Sequence, residues 1–297
     1  MKKNNQSNFI ITVLICLTIL YLLNSSLITK QILIYTKLFI EKLFPSSFLF
    51  FTLSTLLIEF HVVEKLNKLL KKDSASLYIV IMSLISGFPS GSKYIKELLE
   101  KNLITKTTAN YLIKFTHFPN PIFILGPVSL LFPKRKYGII ILASIILSNF
   151  LIALINKPQE KSLLPITNKE IKPFAKILPL SILSSLKTIT IIYGTSLFFY
   201  LISIMINHYL KLKPLGYIII NGIFDLTNGI FSTSLISNQN LKAILIILFI
   251  SFGSISIHMQ TKSIISDTKI HYKNFLLGRI YQTILAITIF SLLILCF

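Results

Sequence analysis

The sequence predicts an all-α polytopic membrane protein of two related halves, with interrupted or re-entrant helices and about eight or more membrane elements. Three observations predict it. The 297 residues are 53% hydrophobic and only 13% charged, with a mean hydropathy of +0.75, too apolar for a domain whose whole surface faces water. A spanning helix needs about 20 mostly apolar residues, and residues 9–28 supply them without a charge, the first of several such runs. Some runs are interrupted by glycine, serine, asparagine or proline beside polar side chains. At membrane depth an unpaired backbone group costs several kcal/mol, so irregular backbone is expected only where protein or a water-filled cavity satisfies it.

Residues 9–28 are read as the first span. Lys2 and Lys3 before an apolar stretch also fit a secretory signal peptide, but the stretch exceeds an h-region of about 7 to 15 residues and has no small-x-small cleavage site. Residues 43–60 form a second apolar segment, and the charged stretch 64–73 must lie outside the hydrocarbon. Residues 77–85 enter apolar ground again, then stop at Ser86-Gly87-Phe88-Pro89-Ser90-Gly91-Ser92, where glycine and proline break the helix before it can cross. Residues 93–114 alternate apolar and charged side chains and are expected to form two short amphipathic helices, the second capped by Thr105, in an interfacial or cavity-lining position. A second break follows at Pro119-Asn120-Pro121, ahead of a turn at Pro133-Lys134-Arg135-Lys136 and a conventional span over 139–155.

Residues 156–176, rich in proline and charge, read as a central linker. The second half repeats this grammar. A long run at 189–206 ends at Lys211-Leu212-Lys213-Pro214. An interrupted segment carries Asp225-Leu226-Thr227-Asn228-Gly229, residues 241–250 lead to a break at Ser251-Phe252-Gly253-Ser254, and 275–297 form the last span. The expected organisation is N-terminal membrane segments over 1–75, a first gate-like repeat over 76–156, a linker over 157–176, and a second gate-like repeat with the final span over 177–297.

A net charge of +20 would suggest nucleic acid in a soluble protein. Here the bases are scattered among apolar segments without a basic block interleaved with aromatics, so nucleic acid is not expected. Anionic lipid headgroups are the expected partners, with steering of a small anionic substrate as a second role. Lys and Arg occur in connectors on both presumed sides, so the positive-inside count sets no orientation, and oligomeric state is not legible. The two cysteines, Cys16 and Cys296, lie in apolar segments and support neither a disulfide nor a metal site. His117 and His258 lack partners at metal-ligand spacing, and the plainer role for each is hydrogen bonding at a break. No cofactor is expected. No nucleophile elbow or catalytic triad is present, so an enzyme is not expected.

The candidate substrate-binding residues lie at the breaks. Gly87, Pro89, Ser90, Gly91, Ser92 and Lys93 are no phosphate loop, because three residues rather than four separate the glycines and Tyr94 follows the lysine. Free N–H groups at that helix start, with Lys93 near, can still receive an anion; Lys93 can equally snorkel to a headgroup. Asn120 and Pro121 form the second break, and Gly253, Ser254, His258 and Gln260 the last. Asp225 stands well inside an apolar segment, where a carboxylate costs about 2.5 kcal/mol or more and is a functional candidate. It can bind a cation, exchange a proton or hydrogen-bond substrate, or merely cap a helix through the N–H groups of Thr227 or Asn228. Asn228 and Gly229 complete that break. Glycines that only let helices pack closely are the alternative at any one break.

The run Gly87-Phe88-Pro89-Ser90-Gly91-Ser92-Lys93, the connector with Leu103-Ile104-Thr105, and Asn120-Pro121-Ile122-Phe123-Ile124-Leu125-Gly126 resemble the YlbJ-like sporulation integral membrane proteins. Asp225-Leu226-Thr227-Asn228-Gly229, the run from Phe252 to Gln260, and Phe275 to Gln282 with Arg279 resemble that family's later motifs. Asp225 stands where the family usually carries a glutamate, and Ser254 where it carries a second glycine. The resemblance implies the nucleoside-recognition gate group, similar to concentrative nucleoside transporters. The implied activity is movement of dipicolinic acid from mother cell toward forespore, across the mother-cell-derived outer forespore membrane, with sporulation membrane proteins as partners. Ser90, Ser92, Asn120, Asn228 and Lys93 would suit the carboxylates of that planar dianion, and Phe88 or Phe123 its ring. Transport of a nucleoside or another solute, and a non-transporting scaffold in spore assembly, are the alternatives.

Overall fold

A computed structural model describes residues 2–70, 74–155 and 173–296. Every regular element among them is helical. The expected linker over 157–176 lies almost wholly outside the described residues, as does the end of the charged stretch at 71–73.

The first apolar run is not one straight helix. α1 (Lys2–Leu23) and α2 (Ser25–Leu38) meet at 94°. Asn24 sits at the corner and its amide donates to the Leu20 carbonyl (2.8 Å) and the Tyr209 hydroxyl (2.7 Å). A side chain that hydrogen-bonds locally offers the backbone an alternative to continuing the helix. α2 passes through a π-helical turn, Phe39–Leu43, into α3 (Phe44–Glu59), and α4 (Val62–Leu70) leaves at 62° after His61, whose φ is 59°.

α5 (Ser74–Ser86) ends at Gly87, whose φ of 78° suits a residue without Cβ. α6 (Ser90–Glu100) and α7 (Lys106–Leu112) are the two short helices expected from the amphipathic stretch, and the Thr105 side chain accepts from the Thr108 N–H at the start of α7. α8 (Pro121–Phe123) continues as a π-helical turn, Ile124–Val128, before α9 (Lys136–Ile155).

α10 (Phe174–Leu210) runs 37 residues, starting well before the apolar run at 189. Its early polar residues are accommodated because hydroxyls bond carbonyls one turn back, Ser185 to Ser181 (2.8 Å) and Thr188 to Ser184 (3.0 Å). Lys211, at a φ of 45°, ends it. α11 (Pro214–Phe224) and α12 (Leu226–Ser232) flank Asp225; α13 (Gln239–Phe252) and α14 (Ile255–Ile265) flank Gly253 (φ 86°); α15 (Tyr272–Cys296) is the last helix.

Among the described residues, four stretches are long and apolar enough to cross a membrane, one of them α13 and α14 taken together (Gln239–Ile265), or six if each bent N-terminal pair is one span; Ser74–Ser86, Pro121–Leu131 and Pro214–Phe224 are shorter apolar helices. The 11 residues of α11 rise only about 16 Å, half a hydrocarbon core. The order of two broken pairs and then a long helix occurs twice, as α5/α6, α7/α8, α9 and as α11/α12, α13/α14, α15. The most extensive contacts between helices join α9 to α15 and α3 to α10. One apolar core gathers Phe51, Ile79, Tyr94, Leu112 and Phe275, and a second gathers Ile141, Ile145, Ile230, Ile246 and Phe290.

Candidate functional site

All four breaks open onto one cavity of about 90 Å³. A buried water needs about 10 to 15 Å³ on the same measure, so several waters or a small solute fit. Ser86, Gly87 and Phe88 come from the α5/α6 break, Asn120 and Phe123 from the start of α8, Asp225 and Thr227 from α11/α12, and Ser256 and Gln260 from α14. Leu226 and Ile257 adjoin these, and the rest of the wall comes from Tyr35, Phe39, Leu43 and Ser47 on the α2–α3 run and from Ile192 and Ser196 on α10.

Local sequence explains how each polar group reaches the wall. Gly87 lies against Asn120 so closely that a Cβ there would stand 2.7 Å from the Asn120 nitrogen. Asn120 caps α8, its Oδ1 accepting from the Ile122 N–H at 2.8 Å. Asp225 is 1% exposed. Its Oδ1 accepts from the Asn228 N–H (2.9 Å) and its Oδ2 from the Tyr35 hydroxyl (3.3 Å). Asp225 is thus both a helix cap and a carboxylate on the cavity wall. Gln260 is fully buried; its Nε2 donates to Ser196 Oγ at 2.8 Å, while its Oε1 is buried with no partner among the described residues. Phe88 stacks on His117 (ring centroids 4.7 Å apart) and Phe123 meets Phe231 edge-on (6.3 Å).

Of the residues expected from sequence, the cavity brings together Gly87, Asn120, Asp225 and Gln260. Pro121 begins α8 just behind Asn120, and Gly253 supplies the turn that aims α14 inward. Ser254 caps α14, its Oγ accepting from Ile257 N–H at 3.4 Å and sharing a 2.6 Å bond with Ser256. Asn228 reaches Ser203 Oγ instead (3.4 Å). Gly229 presses on Gly222 of α11, where a Cβ would stand 2.2 Å from Gly222 Cα. His258 is turned away, its ring nitrogens meeting the Tyr272 hydroxyl (2.6 Å) and the Phe252 carbonyl (3.0 Å).

Pro89, Ser90, Gly91, Ser92 and Lys93 do not line the cavity. The Ser90 and Ser92 N–H groups donate to the Gly87 and Pro89 carbonyls, both at 3.1 Å, rather than standing free for an anion. Gly91 allows the close approach of the Thr116 carbonyl, 2.3 Å from where a Cβ would be. Lys93 neither snorkels nor faces the cavity. It is buried beside Phe51 and Tyr94, where it pairs with Glu97 and donates to Thr55 Oγ1 at 2.7 Å.

A second buried cation, Arg279 on α15, was noted in sequence only within a motif. It is fully buried and donates to the carbonyls of Ser251 (3.3 Å) and Lys114 (2.9 Å) and to Gln282. On the exposed side, Lys96 of α6 donates to Asp267, just past α14, at 2.7 Å, and that bond holds the Asp267 carboxyl below the usual carboxylate range.

Sequence reading passed over Ser196 because it stands in a run that looks like an ordinary span, and Tyr35 because it lies between the two N-terminal runs in a stretch with no break of its own. A signal was present: Tyr35, Phe39, Leu43 and Ser47 recur every four residues, one stripe along a helix.

The chain is similar to the sporulation integral membrane protein YlbJ of Bacillus subtilis (strain 168), at 26% identity over 305 aligned residues that cover 85% of this chain and 74% of the relative. No family model matches it, and no solved structure matches it. Its helical, apolar fold and the motif runs at its breaks agree with that likeness, and the chain is an integral membrane protein similar to YlbJ.

Proposed function

We propose that the chain is a membrane transporter whose solute site is the cavity among the four breaks. Its cargo in this reading is dipicolinic acid, moved from mother cell toward forespore across the outer forespore membrane during sporulation. One observation carries the reading: half-length helices from both halves of the chain end at a single small cavity with amide, hydroxyl and carboxylate groups on its wall. Broken helices meeting at mid-membrane are how many transporters build a solute site. Phe88 and Phe123 offer ring faces to a flat aromatic solute, and Asn120, Ser196 and Gln260 offer hydrogen bonds. The relative's name ties it to sporulation, which supports the proposed setting. Anionic lipids and other sporulation membrane proteins are the partners in this reading.

A second reading, transport of a nucleoside or another uncharged solute, is favoured by the Asp225 carboxylate on the wall, which repels an anion. Uptake of dipicolinate into proteoliposomes holding the purified protein tests both. Saturable uptake reduced at least about tenfold, roughly 1.4 kcal/mol, in Asn120→Ala and Gln260→Ala variants that retain their thermal stability is the expected result. Block by excess nucleoside with no dipicolinate uptake would favour the second reading. No uptake of either solute under any imposed gradient would favour a scaffold.

A further inference from the structure

The Asp225 carboxylate ends a chain of hydrogen bonds that crosses the cavity wall. Gln260 Nε2–H donates to Ser196 Oγ at 2.8 Å. Ser196 and Tyr35 stand on the same cavity wall, the Ser196 hydroxyl facing that of Tyr35. The Tyr35 hydroxyl gives its proton to Asp225 Oδ2 at 3.3 Å, and Ser196 Oγ already accepts from Gln260, which leaves the Ser196 proton free to turn toward Tyr35. Every donor in the chain aims toward Asp225. The four residues come from α14, α10, α2 and the α11/α12 break, and none is more than 8% exposed. At the far end the Gln260 Oε1 is buried and has no partner among the described residues.

This chain can run in either direction. With a proton on Oδ2, the Asp225 O–H donates to Tyr35 Oη, Tyr35 donates to Ser196, and Ser196 donates to Gln260 Oε1 once that amide turns over. Oδ1 keeps the bond from the Asn228 N–H throughout. One O–H bond forms and one proton is drawn from water, and the amide turn gives up the long bond from Gln260 Nε2 to the Ile192 carbonyl (3.4 Å). The unpartnered amide oxygen becomes the acceptor that the reversed chain needs. A metal cation is a poorer occupant, because both carboxylate oxygens already face N–H or O–H hydrogens that would repel it.

Resting on the transport reading above, we propose that Asp225 is a proton site loaded together with an anionic solute, and that Tyr35, Ser196 and Gln260 are the positioning residues that let it fill and empty with both of its own oxygens still hydrogen-bonded. An anion entering beside a bare carboxylate is repelled, and beside a carboxylic acid it is not. The titratable groups facing Asp225 are Tyr35 on α2 and Tyr200 on α10, with Tyr217 of α11 beside Tyr200. On α14, His258 is occupied by Tyr272 and Phe252.

Proteoliposomes test this with dipicolinate as the probe, the membrane potential clamped at zero, and protein-free vesicles as the control for passive entry. One proton per solute raises the accumulation ratio up to about tenfold per pH unit of gradient, acid outside. In Asp225→Asn, which holds the amide nitrogen where the acid proton would be, whatever flux remains is expected to ignore the pH gradient; Tyr35→Phe is expected to shift the pH profile. A second readout does not need transport. The infrared carbonyl band of a protonated carboxyl should grow when dipicolinate is added at constant pH, and Asp225→Asn should lack it. Wild-type accumulation that ignores a pH gradient, or an Asp225→Asn variant that follows the gradient like the wild type, overturns the proposal. So does a carboxyl band unmoved by dipicolinate. Absence of any flux together with a dipicolinate-dependent, Asp225-dependent band sinks the transport reading while keeping the proton site.

Discussion

Gly87 does two jobs that no other side chain can combine. Its φ of 78° lies in the left-handed region, and its open face lets the Asn120 backbone approach. An L-residue there costs about 1 to 2 kcal/mol for the backbone alone, and a Cβ would push Asn120 off the cavity wall. Gly87→Ala should therefore lower the melting temperature in detergent and reduce solute uptake together. Lys93 makes the opposite case. It is paired with Glu97 away from the cavity, so Lys93→Met leaves a largely buried carboxylate without its cation, held only by the Thr55 and Ser184 hydroxyls, and should destabilise by about 3 kcal/mol. The Lys93→Met, Glu97→Gln double variant should regain much of that, with apparent solute affinity unchanged in the protein that still folds. A lowered affinity in the double variant would return Lys93 to the site. Asp225, Asn120 and Gln260 were legible because a polar side chain inside an apolar run is conspicuous. Lys93 misled because its neighbours in sequence look like an anion loop, whereas its partners Thr55 and Phe51 are on another helix that no local pattern reveals.

The breaks themselves were readable from Gly, Pro and Asn, and so were the short helices on either side, since these residues act on the chain within a turn of where they stand. Thr105 is the plainest instance: Thr105→Ala should cost about 1 kcal/mol and show as faster amide exchange in α7. Less legible was where long helices begin and bend. The 94° corner at Asn24 depends on Tyr209, far along the chain, and the start of α10 at Phe174 depends on hydroxyls that bond within the helix instead of ending it. Packing between elements was hidden too, as at Gly229 against Gly222. Gly229→Leu should wedge α12 from α11 and cost about 1 to 3 kcal/mol, read as a lowered melting temperature. The Lys96–Asp267 bond ties α6 to the segment after α14. Because that carboxyl is held low in the folded protein, its contribution is present at neutral pH and fades as pH falls through the lowered value. The melting temperatures of Asp267→Asn and wild type should differ slightly at neutral pH and converge in acid; two thirds of the Asp267 side chain is exposed, and solvent keeps the effect small.

Across the whole molecule, the recurring order of broken, broken and long helices was visible as a rhythm in the sequence, but its meeting point was not. The cavity needs α2 and α10 as well as the breaks. Those helices carry no interruption there and so gave no mark. The long helices pair across the halves, α3 with α10 and α9 with α15, which leaves the half-length pieces between them to meet at the cavity. Arg279 stands off to one side of that meeting. The carbonyls it holds belong to Lys114, just past α7, and to Ser251, in the last turn of α13. These are matching places in the two halves, the tail of the first piece in each second broken pair. Oriented peptide dipoles leave such tails negative, and one guanidinium serves both. It acts as a rivet through the two halves, and in the transport reading it is the point about which the two tails would turn, like shears about their pin.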